Sequence, residues 1–151
     1  MYDLAGKILT GTGKMDDPNF AGCTVLVAEH NEKGALGFII NQPFPRALNE
    51  LVEFSSSPAF PLYKGGPVDE EHLYFVHQCA DQIPGSEHIT KNLFLGGDFA
   101  TVIQLLPTGQ LATGDIKIFV GYCGWNENDL ETEIADGYWE VETFKPDLVF
   151  S

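Results

Sequence analysis

Six polar side chains stand where chemistry is easiest to build, beside glycine or at the ends of apolar runs. Glu29 and His30 follow the run Thr24–Ala28, Asn41 follows Leu36–Ile40, Asp98 follows Gly96 and Gly97, and Tyr122 and Cys123 lie inside Gly121–Trp125. Glycine beside a polar group opens the backbone, so a ligand can reach N–H and C=O groups as well as side chains. Glu29, His30, Asn41, Asp98 and Tyr122 are therefore the candidate ligand-binding residues. Cys123, flanked by glycines, is a candidate reactive thiol, although no Lys, Arg or His lies near it in sequence to favour the thiolate. No Ser-His-Asp order, zinc spacing or dinucleotide fingerprint accompanies these residues, so no catalytic residue is assigned and no reaction class is named.

Other chemistry is tested and set aside. Gly11-Thr12-Gly13-Lys14 has the sound of a phosphate loop, but that loop needs a glycine where Ile8 stands and a hydroxyl where Met15 stands. His72 and His77 are separated by an odd number of positions and point to opposite faces of a strand, so they cannot share a metal there. No metal and no cofactor is expected. His77, alone in an apolar strand, reads as a hydrogen-bonded core residue. Asp98 reads first as a helix cap, with a ligand-binding role as the alternative.

The 8 basic and 22 acidic residues give a net charge of −14, and Arg46 is the only arginine. Phosphate contacts need clustered Lys and Arg, so direct nucleic-acid binding is not expected. From Asp115 to Asp147 nine acids face only Lys117 and Lys145, which predicts an acidic C-terminal face. Such a face either solubilises or docks a basic protein partner; a small molecule in a glycine-lined pocket is the other partner expected. Cys23, Cys79 and Cys123 contain no CxxC pair and read as reduced thiols. No apolar run approaches about 18 residues and no charged-then-apolar leader is present, so the expectation is a cytoplasmic protein without a membrane span.

One hairpin organises the expected elements. Thr24–Ala28 and Leu36–Ile40 are apolar on successive residues, the pattern of strands buried on both faces, and Asn31-Glu32-Lys33-Gly34 supplies the turn. Gly37 marks a bulge or a close backbone approach. Short helices are predicted over 47–54, over 99–106 behind Asp98, and within 126–137, with Asn128 as cap and Glu131 at the third helical position. Strands are expected near Ile8, over 73–77, 87–89 and 115–121, and at 138–141 and 148–150, with an aromatic and glycine corner at 122–125. At 151 residues, with 44% hydrophobic content, all of this fits one domain, 1–151.

Several words taken together resemble the bacterial YqgE/AlgH family in order and spacing. They are Asp17-Pro18-Asn19-Phe20, Glu29-His30-Asn31, Asn41-Gln42-Pro43, Gly65-Gly66-Pro67-Val68, Gly96-Gly97-Asp98 and Gly121-Tyr122-Cys123-Gly124-Trp125. The resemblance covers nearly the whole chain and implies an α+β fold. In it a mixed, mostly antiparallel, branching sheet curls into a pseudo-barrel with about three helices packed outside. One branch of the family bears a name linking it to transcriptional control, so the resemblance implies a regulatory or protein-interaction module and no named reaction. Two departures stand out: Cys123 occupies a position often held by Ser, and Asn126-Glu127-Asn128-Asp129 replaces a segment usually rich in glycine.

Overall fold

The structure, a computed structural model, describes residues 3–18 and 20–150. Asn19, part of one of the family words, lies outside the described residues. Nine strands form one sheet: β1 Ile8–Gly11, β2 Thr24–Asn31, β3 Gly34–Ile39, β4 Leu62–Lys64, β5 Val68–His77, β6 Glu87–Thr90, β7 Leu93–Leu95, β8 Ile116–Asn126 and β9 Trp139–Glu142. Three helices accompany it, α1 Phe99–Leu105, α2 Asp129–Ala135 and α3 Pro146–Val149. The fold class is therefore α+β, as expected.

Strand order runs β6-β7-β5-β8-β3-β2-β1-β9, with β4 attached to β8 from the side. Every pairing is antiparallel except β4 with β8. The path ends on β6 and β9, which do not pair with each other, so the sheet is not closed into a barrel. The branch lies in β8. Its first half is hydrogen-bonded to β4 on one side and β5 on the other, while Cys123–Asn126 pair with β3.

Alternation of side chains feeds separate cores. Phe119 of β8 packs with Leu26, Ala28 and Phe38, whereas Ile116, Ile118 and Val120 pack with Leu48, Phe75 and Val102. Val25 and Val27 of β2 turn to a third cluster with Leu9, Ile39, Trp125 and Trp139. Rings of Phe38 and Phe119 stack at 4.6 Å with an interplanar angle of 6°. The β2–β3 hairpin forms as read, closed by Glu32 and Lys33, with Asn31 Oδ1 accepting the Lys33 N–H at 2.8 Å. At Gly37 an added Cβ would lie 2.8 Å from the Leu26 carbonyl oxygen, and the hairpin register shifts beside it between Val27 and Glu29.

Four local expectations are corrected. The segment 47–54 is two 3-10 turns, Leu48–Glu50 and Val52–Phe54, because Leu51 is extended between them and neither turn has a side-chain cap. The supposed corner at 122–125 is the second half of β8, paired to β3. Asn128 precedes α2 in a left-handed conformation without a side-chain cap bond, and the Glu131 carboxylate turns away to His30. The expected strand at 148–150 falls in and just after α3, since Pro146 fits a first helical position. By contrast, Asp98 caps α1 as predicted. Among the described residues no helix is long and apolar enough to cross a membrane.

Candidate functional site

Each sequence candidate has a definite place, and most are engaged with their own chain. Asn41 clamps the open end of the hairpin: its Oδ1 accepts the Thr24 N–H at 3.0 Å and its Nδ2 donates to the Gly22 carbonyl at 3.1 Å. Asp98 accepts the Ala100 N–H at 3.2 Å and the Thr101 hydroxyl at 2.9 Å. The His30 side chain is 2% exposed, accepts the Leu4 N–H on Nδ1 at 3.1 Å and donates from Nε2 to Glu131 at 2.9 Å. Accepting at Nδ1 places the proton of the neutral ring on Nε2. That bond holds the Glu131 carboxyl below the usual range.

Tyr122 is half-buried and meets Tyr74 edge-on at 5.3 Å. Glu29 borders a shallow depression of about 280 Å³ shared with Asn31, Lys33 and Trp125, and Asn41 and Asp98 are exposed. Six residues of strand separate Thr24, where Asn41 binds, from His30, about 20 Å at strand rise. Asp98 stands between β7 and α1. His30, Asn41 and Asp98 are thus each bonded to their own chain.

Cys123, the candidate reactive thiol, is covered. It is 1% exposed, its Sγ donates to the Gly65 carbonyl at 3.4 Å, and burial pushes the thiol up to about 12. A thiol that stays protonated and covered is a poor nucleophile. His77, in contrast, is the buried, hydrogen-bonded residue expected, held by the Gly96 carbonyl at 2.9 Å and the Cys79 N–H at 3.0 Å.

The glycine words have a backbone explanation. An added Cβ on Gly65 would lie 2.4 Å from the Gly121 oxygen, and one on Gly66 would lie 2.2 Å from the Tyr122 carbonyl. Gly121 has φ +74, and its Cβ would meet the Gly66 oxygen at 2.5 Å. What comes close to these glycines is the chain itself, where β5 begins against the middle of β8.

That contact shapes a groove which sequence reading missed. Val68 pairs with Tyr122 and Leu73 with Val120, so four residues of β5, Asp69 to His72, arch over Gly121 alone. Asp69 takes the left-handed conformation at φ +54, uncommon for a residue other than glycine. Its carboxylate accepts the Tyr74 hydroxyl and binds His72 Nδ1 at 2.7 Å. These bonds hold the Asp69 carboxyl below its usual range, raise His72 above its own, and push the Tyr74 phenol up to about 12.

Between this arch and the two 3-10 turns lies a groove of about 480 Å³. Phe44, Leu51, Phe54, Leu73 and Phe99 give it apolar walls, while Glu50, Glu53, Glu70 and Glu71 bring carboxylates to it. Among the described residues Arg46 and His72 are the basic side chains that line it. The missed signal was Val68-Asp69-Glu70-Glu71-His72, four polar residues ahead of an apolar strand, with Gly121 opposite. Two further polar residues went unread and serve packing. Glu133 Oε1 accepts the indole N–H groups of Trp125 at 3.1 Å and Trp139 at 2.9 Å. Buried Lys117 donates to the Val149 carbonyl at 2.9 Å and sits 3.9 Å from the Tyr63 ring centre, its amine lowered to about 8 by desolvation. Among the described residues no group of three metal-ligating side chains converges.

A family profile described as AlgH-like matches residues 8–151. The chain belongs to the AlgH-like family. A UPF0301 protein of Chlorobium luteolum is 38% identical over 147 residues, covering 97% of this chain and 78% of the relative. One from Bacteroides thetaiotaomicron is 38% identical over 137 residues, 90% of this chain and 69% of that protein. The solution structure of the AlgH protein from Pseudomonas aeruginosa superimposes with a TM-score of 0.79 at 27% identity, over 99% of this chain and 82% of that one. A crystal structure from Corynebacterium diphtheriae, at 21% identity and TM-score 0.78, covers 99% of this chain and 80% of that one and shares the fold. The names of these AlgH-like relatives state membership and no reaction.

Proposed function

We infer that this AlgH-like chain is a small acidic cytosolic regulatory or protein-interaction module that does not contact DNA directly. The observation that carries this reading is the charge: 22 acids against 8 bases, with the single arginine, Arg46, set in a groove beside four glutamates. A surface of that sign repels a polyanion and attracts a basic protein. Of the nine acids between Asp115 and Asp147, Asp115, Glu131 and Glu133 are tied to Ala112, His30 and the two tryptophans, while the other six are exposed. Those six exposed acids support the reading of an acidic C-terminal face.

The test is affinity capture from a bacterial lysate with the wild type and with Glu140→Lys/Glu142→Lys and Glu70→Lys/Glu71→Lys variants, followed by reconstitution with the purified partner. A protein retained by the wild type and released by either charge reversal is expected. Identical captures from all three baits, or a gel shift with duplex DNA that weakens with salt, overturns the reading. A small-molecule binder is the second reading. The groove favours it, since its volume lies in the range of ligand sites and His72, held by Asp69, lines it.

A further inference from the structure

We propose that the groove between the β5 arch and the 3-10 turns is a docking site for a segment of a partner protein carrying lysine or arginine on both sides of a large apolar side chain. This rests on the protein-interaction reading and adds the site and the chemistry of the partner.

Three features point to that occupant. First, both walls carry carboxylates, Glu50 and Glu53 on the turns and Glu70 and Glu71 on the arch; among the described residues none of the four side chains makes a hydrogen bond or close ion pair, although Glu53 and Glu71 act on His72 through space. Like charges held across a cleft with apolar walls focus the potential and concentrate cations between them. Second, the apolar lining is aromatic and open to solvent along the groove, and Val52 at its edge is 93% exposed. A simple cation leaves that surface wet, whereas an apolar anchor between two cations covers it. Third, the arch is fixed before anything binds, by the left-handed Asp69, its bonds to His72 and Tyr74, and Gly121 beneath it. Carboxylates already in place cost less ordering on association. Nucleic acid and anionic membrane surfaces carry the wrong charge for such a rim.

The test uses the full chain and a fluorescein-labelled heptapeptide, two lysines, leucine-phenylalanine-leucine and two lysines, read by anisotropy at about 50 mM salt, where screening is weak. Saturable binding is expected, about tenfold weaker for Glu70→Lys/Glu71→Lys, since reversing exposed pairs shifts affinity by about that factor. Val52→Ser is expected to weaken it about threefold, and Glu140→Lys/Glu142→Lys to leave it unchanged. Amide shifts in the NMR spectrum of the wild type are expected at 44–54 and 70–73. Circular dichroism checks that each variant is folded. A peptide with three serines in place of the apolar core that binds equally well, or spermidine competing at equal strength, makes the groove a general cation site and overturns the proposal. Equal loss from the Glu140 and Glu142 reversal moves docking to the C-terminal face, overturning the groove while the interaction reading stands. No binding by the heptapeptide also overturns the groove, and the lysate capture then judges the broader reading separately.

Discussion

Asp69 shows how much one residue's setting decides. Its carboxylate ties the arch together through His72 and Tyr74, yet in the sequence it is one acid in a run of three. The pair has a readable pH window. His72 is raised above 6.5, so its contribution is full below that value and fades as pH rises through the raised one. Asp69 is lowered below 3.8, so its contribution is present above that value and fades as pH falls through the lowered one. We therefore expect an NMR titration to place the His72 midpoint above 6.5 in the wild type and lower in Asp69→Asn, a substitution that tolerates the left-handed backbone and leaves only the weaker pull of Glu71 and Glu53. Equal midpoints in the two proteins would mean that the bond does not persist in solution. Other residues were legible by type and not by use. Asn41 was visible as special, but a side chain that binds its own backbone and one that binds a ligand look alike in sequence, because both need a short polar group beside a turn.

At the scale of elements, the hairpin was readable because its apolar runs and turn residues are local signals. β8 was harder. Its eleven residues were divided into a strand and a corner because Gly121, Gly124 and two aromatic residues interrupt the expected pattern. What keeps the strand whole is non-local: β3 pairs with its second half, and the Gly65-Gly66 backbone lies against Gly121 and Tyr122. The two glycines of that word should therefore behave differently. Gly121→Ala puts a Cβ 2.5 Å from the Gly66 oxygen at φ +74, and we expect destabilisation of about 3 kcal/mol, with loss of peptide docking as the arch shifts. Gly124→Ala meets only the Tyr122 ring at 3.7 Å, ordinary contact distance, and should change stability by less than about 1 kcal/mol. Urea unfolding of both variants makes the comparison. Similar losses would show that the close approach at Gly121 relaxes at little cost.

Over the whole molecule, the class of fold and the sign of the surface were legible, because they follow from composition and family words that span the chain. The groove was not, since its two walls lie some twenty residues apart in sequence and meet only when β5 pairs with β8 beside the 3-10 turns. Its carboxylates and those of the C-terminal segment also act together. A net charge of −14 on one small domain repels itself; among the described residues Asp69 bonds His72 at 2.7 Å and Glu131 accepts from His30 at 2.9 Å, while Asp3 stands 3.8 Å from His30. Unfolding moves the charges apart, so self-repulsion weighs against the folded state at low ionic strength. Added salt shortens the screening length from about 30 Å at 0.01 M to about 3 Å at 1 M and removes most of that penalty. Raising sodium chloride from about 0.01 M to about 0.5 M should then lift the melting temperature by about 3 °C, the shift that roughly 1 kcal/mol produces in a domain of this size. Glu70→Lys/Glu71→Lys should raise it at low salt and respond less to added salt, because it relieves repulsion at the groove. Calorimetry across that salt series checks both expectations. A melting temperature that falls with sodium chloride would show that attractive pairs outweigh repulsion and that the surface is not the uncompensated field which the docking argument needs.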